Sequence, residues 1–182
     1  MLHNKLINES QFQMEESSFE IRRADWDKMK IVAGFIRSSA DWYKPFIDKK
    51  DYSEHEVGRE WIEKNYGRRE FYIGSDNGVP VGTISYQTIG DYAYLGYIYL
   101  DTRFVGKGYG RQLMVFAKRL AEERGKKGMV LIAHPKATWA TKAYKKFGFD
   151  LLAKKKEKIL SWNNGALKPY YEEGFELYQY AL

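Results

Sequence analysis

The sequence predicts a mixed α+β fold, and three observations carry this prediction. Between residues 70 and 100, three runs of aromatic and β-branched residues are separated by turn signals at Asn77-Gly78 and Gly90-Asp91, as in an antiparallel meander. A glycine-rich link and an amphipathic helix then lead into a continuous apolar strand at 129–133, which indicates a right-handed crossover between parallel strands. An alternating segment at 175–180 predicts the final strand.

The N-terminal third adds a strand and two helices. Phe19 to Arg23 alternates apolar and polar side chains and predicts a strand, and Asp25 is placed to cap a helix with apolar residues at helical spacing. Ser53 and Glu56 have the spacing of a capping box, which predicts that a second helix begins there and stops at Gly67.

The C-terminal part adds a short helix, a strand and a loop. Apolar residues at helical spacing predict the helix, Gly148 caps it, and a strand starts at Phe149. Residues 161–174 contain polar residues, Gly and Pro and predict a long connection between two late strands. The predicted order is β-α-α-β-β-β-α-β-α-β-β.

Composition limits the possible classes of protein. The chain has 182 residues, 44% apolar and 30% charged, which fits one domain at 18–182 after a polar, aperiodic stretch at 1–17 that predicts a flexible leader. No stretch has the apolar length of a membrane helix or a signal peptide, so we expect a cytoplasmic protein with no membrane partner. The absence of cysteine excludes disulfides, thiolate metal sites and a cysteine nucleophile, and the three widely spaced histidines predict no metal site.

Positive charge is concentrated in one segment. Residues 103–146 hold twelve Lys and Arg against two Glu, a net charge of +10, although the whole chain carries only +6. A basic segment within an otherwise acidic chain predicts a local polyanionic partner.

The segment opens with a glycine loop, which we define as residues 105–111 (Val-Gly-Lys-Gly-Tyr-Gly-Arg). Alternate glycines allow successive backbone N–H groups to face one concavity, and the helix that follows adds its free N–H groups and its dipole. The loop therefore predicts a pyrophosphate site made of backbone. It fits neither common nucleotide fingerprint, because Arg111 replaces the third glycine of G-x-G-x-x-G and Gly108 replaces the Ser or Thr that follows a P-loop lysine.

Two blocks of sequence resemble the GNAT superfamily of acyl-coenzyme A-dependent N-acetyltransferases. The first is the R/Q-x-x-G-x-G/A loop between a strand and a helix, with Val105 at the Arg/Gln position and Gly108 and Gly110 as the glycines. The second is A-x-x-x-Y-x-x-x-G-F, which 140–149 matches in full. The chain departs from the family pattern at Val105 and at Ala137, where members often have Asn. The resemblance covers about residues 19–182.

The resemblance implies a three-layer α/β fold: a mixed, mostly antiparallel central sheet with one splayed parallel strand pair and helices on both faces. It also implies acetyl-coenzyme A as acetyl donor, a primary amine as acceptor, direct attack without a covalent enzyme intermediate, and no metal. The backbone N–H near Leu100 would polarise the thioester, and Tyr144 would be the general acid toward the leaving thiolate. The residues implied to bind the coenzyme are Ile98, Tyr99, Leu100, Val105, Gly106, Lys107, Gly108, Tyr109, Gly110 and Arg111.

The acceptor side is less defined by sequence. His134 follows the apolar strand and its ordinary pKa suits a general base, while Glu172 and Glu173 in the late loop are further candidates. The residues that we expect near the acceptor amine are Trp42, Tyr43, Tyr97, Tyr171 and Glu172.

Three alternatives stay open at this point. A non-catalytic acetyl-coenzyme A sensor would use the same loop without transfer. A basic nucleic-acid-binding domain would use its tyrosines for stacking, although no nucleic-acid motif is present and we disfavour this partner. The aromatic residues of the late loop also leave a homodimer interface open.

Overall fold

The structure, a computed structural model, describes residues 18–182. A seven-stranded sheet has the order β1-β2-β3-β4-β5-β7-β6, and every neighbouring pair is antiparallel except β4 and β5. The strands are β1 (Phe19–Arg23), β2 (Glu70–Asp76), β3 (Val79–Ile89), β4 (Tyr92–Leu100), β5 (Gly128–Ala133), β6 (Asp150–Ala153) and β7 (Glu176–Ala181). The mixed α+β fold with one parallel pair is therefore confirmed.

Tight turns make the meander possible. Asn77 and Gly78 both have positive φ angles, +47° and +78°, as the two-residue turn that matches the twist of β2 and β3 requires. The crossover from β4 to β5 passes through a long helix, so the two strands lie side by side in parallel.

Five α-helices cover the two faces of this sheet. They are α1 (Met29–Tyr43), α2 (Arg59–Tyr66), α3 (Tyr109–Glu123), α4 (Thr138–Phe147) and α5 (Lys156–Ser161). On one face α3 and α4 pack in a single apolar cluster that includes Leu113, Leu95 and Leu131. On the other face α1 and α2 pack around Phe71 and Ile73, and α5 packs in a separate cluster with Tyr94. The predicted three-layer arrangement is confirmed.

Two local predictions were wrong. The second helix begins at Arg59 and not at Ser53, which lies in a 3₁₀ helix at Lys49–Glu54, and Gly58 takes the N-cap position of α2 without a side-chain cap. The predicted order also lacks α5, which lies between β6 and the late connection, and that connection contains a 3₁₀ turn at Trp162–Gly165. Burial of Ile159 against the sheet stabilises α5, a tertiary contact that six residues of weak helical pattern do not reveal.

The predicted leader at 1–17 lies outside the described residues. Among residues 18–182 the structure contains no helix with the length and apolar character needed to cross a membrane.

Candidate active site

The parallel strands β4 and β5 separate part of the way along their length. Their ladder pairs Tyr92, Ala93 and Tyr94 with residues 128–130 and then stops, although β4 continues to Leu100. A bulge in β4 accompanies the separation: Tyr99 pairs with Thr83 but Gly96 pairs with Ser85. One extra residue on β4 bends the strand away from its neighbour.

The separation leaves backbone groups of β4 without a strand partner. The N–H of Asp101 donates to the carbonyl of Val81, 2.9 Å away, on the β3 side. Since consecutive N–H groups of a strand point in opposite directions, the N–H of Leu100 faces the gap. This geometry suits a donor to an acyl oxygen.

The glycine loop begins α3 next to this gap. Gly106 and Gly108 have φ angles of +83° and +86°, and Gly108 is the N-cap of α3 in the left-handed conformation. A Cβ atom at either position would meet no atom within 4 Å and would project into open space. The glycines are thus required by backbone conformation, and they leave the N-terminus of α3 open to an anion.

A cavity of about 520 Å³, here called the larger cavity, lies between the glycine loop and α4. Eight of the ten residues predicted to bind the coenzyme line it: Ile98, Tyr99, Leu100, Val105, Gly106, Gly108, Gly110 and Arg111. The other two side chains are engaged elsewhere. Tyr109 donates a hydrogen bond to Asp76, and the Lys107 ammonium lies 5.5 Å from the centre of the Phe104 ring.

Two tryptophans flank the larger cavity. Trp42 and Trp139 pack edge to face with ring centres 5.4 Å apart, and each keeps about two fifths of its surface exposed, 40% and 39%. Trp42, which the sequence suggested for the acceptor, therefore lies on the side of the glycine loop. Trp139 was missed because one exposed aromatic on a short amphipathic helix has no distinguishing pattern.

A second cavity of about 160 Å³, here called the smaller cavity, lies on the α1 and α2 face of the sheet. Of the residues predicted near the acceptor, Tyr43, Tyr97, Tyr171 and Glu172 line it. The two cavities share Tyr43, Ile98, Tyr99, Ala140 and Tyr144. They therefore meet at the point where β4 and β5 separate.

Glu172 and His55 form a buried pair in the smaller cavity. His55 Nε2 lies 3.1 Å from Glu172 Oε1, and the two side chains are 5% and 16% exposed. Burial raises the pKa of Glu172 above its ordinary value, although the hydrogen bond from His55 acts in the opposite direction. The ring of Tyr43 stacks on His55 with centres 5.4 Å apart. A carboxylate with a raised pKa is suited to accepting a proton near neutral pH.

His134 lies at the end of β5 and also lines the smaller cavity. Its Nδ1 accepts the backbone N–H of Lys136 at 3.1 Å, so the neutral ring carries its proton on Nε2. Burial lowers the pKa of His134, and the charge of Lys136 adds to this effect. The ring of His134 is therefore neutral near neutral pH, with its proton on Nε2.

Tyr144 stands on α4 at the boundary of the two cavities, with 9% of its surface exposed. Burial raises the pKa of Tyr144 well above its ordinary value, so the hydroxyl stays protonated at neutral pH. The structure thus presents a protonated donor toward the space between the cavities.

Tyr97, which the sequence placed near the acceptor, contacts side chains of the smaller cavity that sequence reasoning missed. Tyr97 has a positive φ of +46° at the bulge, accepts from Trp61 Nε1 at 3.2 Å and donates to Glu54 at 3.0 Å. Arg69, in the turn after α2, packs beneath the same ring. No local pattern marks Glu54, His55 or Arg69, because folding alone brings their separate segments together. The described residues also contain no group of three His, Cys, Asp or Glu side chains arranged to hold a metal.

Comparisons with solved structures find the same fold in other proteins. Among solved structures, the chain is similar to the PaiA N-acetyltransferase of Thermoplasma acidophilum in complex with coenzyme A, with a TM-score of 0.67, 17% identity and coverage of 91% of this chain and 99% of that one. A GNAT acetyltransferase of Staphylococcus aureus Mu50 gives a TM-score of 0.69 at 19% identity, with 90% and 99% coverage.

A third structural relative is longer than this chain. The N-acetylglutamate synthase of Neisseria gonorrhoeae, complexed with coenzyme A and N-acetyl-glutamate, gives a TM-score of 0.66 at 16% identity. The match covers 92% of this chain but 36% of that protein. A comparison with curated proteins finds no match. The family comparison matches residues 35–149 to the acetyltransferase (GNAT) family, a span that holds the C-terminal part of α1, the β4–β5 gap, the glycine loop and Tyr144. Since this match covers more than half of the chain, the chain belongs to that family.

Proposed function

We propose that this protein is an N-acetyltransferase that transfers the acetyl group of acetyl-coenzyme A directly to a primary amine. One observation carries the proposal: the larger cavity, built around an anion-binding glycine loop, meets the smaller cavity where β4 leaves a backbone N–H unpaired. Two substrates entering from opposite faces would meet there. No covalent enzyme intermediate is needed, since both reactants reach the same point.

The larger cavity fits coenzyme A in shape and charge. The N-terminus of α3 and Arg111 would hold the pyrophosphate, and the apolar side chains of Ile98 and Leu100 would line the path of the pantetheine arm. When bound, acetyl-coenzyme A supplies an activated acetyl group. The coenzyme bound by the structural relatives supports this choice of donor.

Each chemical task has a candidate residue in this chain. The N–H of Leu100 would stabilise negative charge on the acyl oxygen, Glu172 would accept the proton of the attacking ammonium, and Tyr144 would donate a hydrogen bond to the departing sulfur. The raised pKa of Tyr144 keeps its hydroxyl in the donating form. The raised pKa of Glu172 makes its carboxylate a stronger base than a solvated one.

Two measurements on the purified protein test the proposal. Acetyl-coenzyme A is expected to raise Tm more than NAD or ATP at equal concentration, because only a ligand that fits the folded site stabilises it. A panel of primary amines with acetyl-coenzyme A is then assayed for thiol release and for acetylated product by mass. Equal Tm shifts from all three nucleotides would contradict a coenzyme A site, and binding without transfer to any amine would favour a sensor.

A further inference from the structure

Two cations that line the smaller cavity, Arg68 and Arg69, have no carboxylate partner within residues 18–182, and Arg69 is the less exposed of the two. Arg69 is half-buried, and its guanidinium carbon lies 4.7 Å from the centre of the Tyr97 ring, 4.9 Å from Tyr170 and 5.5 Å from Tyr94. Within residues 18–182 no carboxylate oxygen lies within 4.0 Å of its guanidinium nitrogens. Its Nε is fully buried and has no hydrogen-bond partner. Arg69 hydrogen-bonds Tyr94 and packs on tyrosine rings, and its planar guanidinium retains N–H donors that could bind a carboxylate.

The carboxylates that line the same cavity are already engaged. Glu54 accepts from Tyr97 and pairs with Lys64 at 3.7 Å, and Glu172 pairs with His55. Asp51 accepts the backbone N–H of Glu173 at 3.1 Å. None of these three carboxylates pairs with Arg69, so the described residues leave its charge without a carboxylate counterpart.

The strand beneath makes room for the guanidinium. A Cβ atom at Gly96 would stand 2.7 Å from Arg69 Nη1 and 3.2 Å from the Ser85 hydroxyl, so only glycine allows this placement. Gly96 lies on β4 where the ladder with β5 has already ended, which places Arg69 close to the meeting point of the cavities.

The cation Arg69 and the carboxylate Glu172 both line the smaller cavity. Burial raises the pKa of Tyr94 to about 12, while the charge of Arg69 lowers it and that of Glu172 raises it, so both charges act on one hydroxyl. The cavity of about 160 Å³ is close to the volume of an engineered cavity of ~150 Å³ that holds benzene. A cavity of this volume suits a molecule of about single amino acid size.

We propose that the acceptor is a small aminocarboxylate, whose carboxylate pairs with Arg69 while its amine lies toward Glu172 and the β4–β5 gap. This inference rests on the proposed acetyl transfer and names the substrate class for it. Electrostatic complementarity gives the selectivity, because an amine without a carboxylate leaves the guanidinium buried and unpaired.

The test compares amines that differ only in the carboxylate. Alanine, phenylalanine and lysine are each assayed beside the corresponding amino acid amide and decarboxylated amine, and kcat/KM for acetyl transfer is measured. We expect the free carboxylate to be preferred by about 10- to 100-fold for at least one of the three, the size of a charge-assisted hydrogen bond. Arg69→Met keeps an apolar side chain between the tyrosine rings and is expected to remove that preference.

Two controls separate charge from folding. Arg22→Gln makes the same charge change on edge strand β1, where the side chain is 81% exposed, and is expected to keep the preference. Arg69→Lys keeps the charge but loses the planar fork and is expected to keep part of it. The ratio between paired amines is taken on one preparation, so a reduced folded fraction cancels.

Each outcome of these assays supports or contradicts the aminocarboxylate inference. Equal or better transfer to the amides and decarboxylated amines would overturn the aminocarboxylate inference and leave the acetyltransferase proposal standing. If no amine is acetylated, the acetyltransferase proposal fails and binding decides the inference, from Tm shifts by the same compounds in the presence of coenzyme A. The aminocarboxylate inference would then be supported if only the compounds with a free carboxylate raise Tm and if this effect is lost in Arg69→Met. It would be overturned if these compounds do not raise Tm.

Discussion

The two cavities differ in what they are made from. The larger cavity is built around seven consecutive residues, 105–111, and its most specific feature is backbone: two positive φ angles and the start of a helix. The smaller cavity takes its charged and aromatic side chains from at least five separate segments, including 51–55, Arg69, 94–99, His134 and 170–172. A ligand shared by a whole family can be held by backbone, whereas a particular acceptor has to be selected by side chains.

The first prediction concerns the glycine loop of the larger cavity, and it is expected to have the largest effect. In Gly108→Val a branched Cβ would enter the open space beside α3 and strain a φ of +86°, so saturable binding of acetyl-coenzyme A is expected to be lost while most of the fold remains. Titration calorimetry measures the binding. Gly125→Val is the matched control, because Gly125 has a φ of +64° and equal space around it but lies at the end of α3 away from the cavity. Wild-type affinity in Gly108→Val would contradict the placement of the coenzyme.

The second prediction concerns Glu172 in the smaller cavity. Glu172→Gln keeps the shape and the acceptor for His55 but removes the base, so kcat is expected to fall ~10²–10⁴-fold with little change in coenzyme affinity. Because the pKa of Glu172 is raised, the acidic limb of the wild-type pH–rate profile is expected above the range of an ordinary glutamate. Glu173→Gln is the control, since that side chain is 40% exposed and pairs with Lys50 and Lys156. Equal losses in both variants would exclude a specific base at 172.

The third prediction concerns Tyr144, one of the five residues that line both cavities. Tyr144→Phe retains the ring and its packing, so we expect Tm to stay unchanged and kcat to fall by ~10²-fold, the low end for loss of an acid because a thiolate leaves readily. Turnover and Tm are measured on one preparation. Wild-type turnover would exclude Tyr144 as the proton donor without affecting the family assignment.

The smallest effects are on stability, and they have opposite signs at two adjacent residues. The pKa of Glu172 is raised by burial, so its ionised form destabilises the folded state, and wild-type stability gains as pH falls through that pKa. Glu172→Gln is therefore expected to raise Tm near pH 7, by about 2–4 °C per kcal/mol relieved, with no difference at acidic pH. The pKa of Glu173 is lowered by its lysine partners, so its contribution is present at neutral pH and lost as pH falls.

Glu173→Gln is consequently expected to lower Tm slightly at pH 7 and not at low pH. Scanning calorimetry of both variants at several pH values measures the two trends. Shifts of the same sign at neutral pH would show that burial does not dominate at Glu172.

The meander and the glycine loop could be predicted from sequence because both follow from the conformational preferences of neighbouring residues. Turn residues at 77–78 and the alternation at 92–100 specify the meander, because these signals act within a few residues. The spacing of Gly106, Gly108 and Gly110 before an amphipathic helix predicted a backbone concavity at the glycine loop for the same reason, and this loop lines the larger cavity. Tyr144 could be named because it belongs to a block of consecutive residues.

The smaller cavity could not be predicted from sequence, because folding brings its side chains together from separate segments. Nothing near Arg69 in sequence indicates that three tyrosine rings surround it, since Tyr94, Tyr97 and Tyr170 come from other segments. His55 lies 117 residues before its partner Glu172, and their shared burial sets the pKa of that carboxyl. Burial and charge proximity are properties of the folded chain, so no local sequence pattern reveals them.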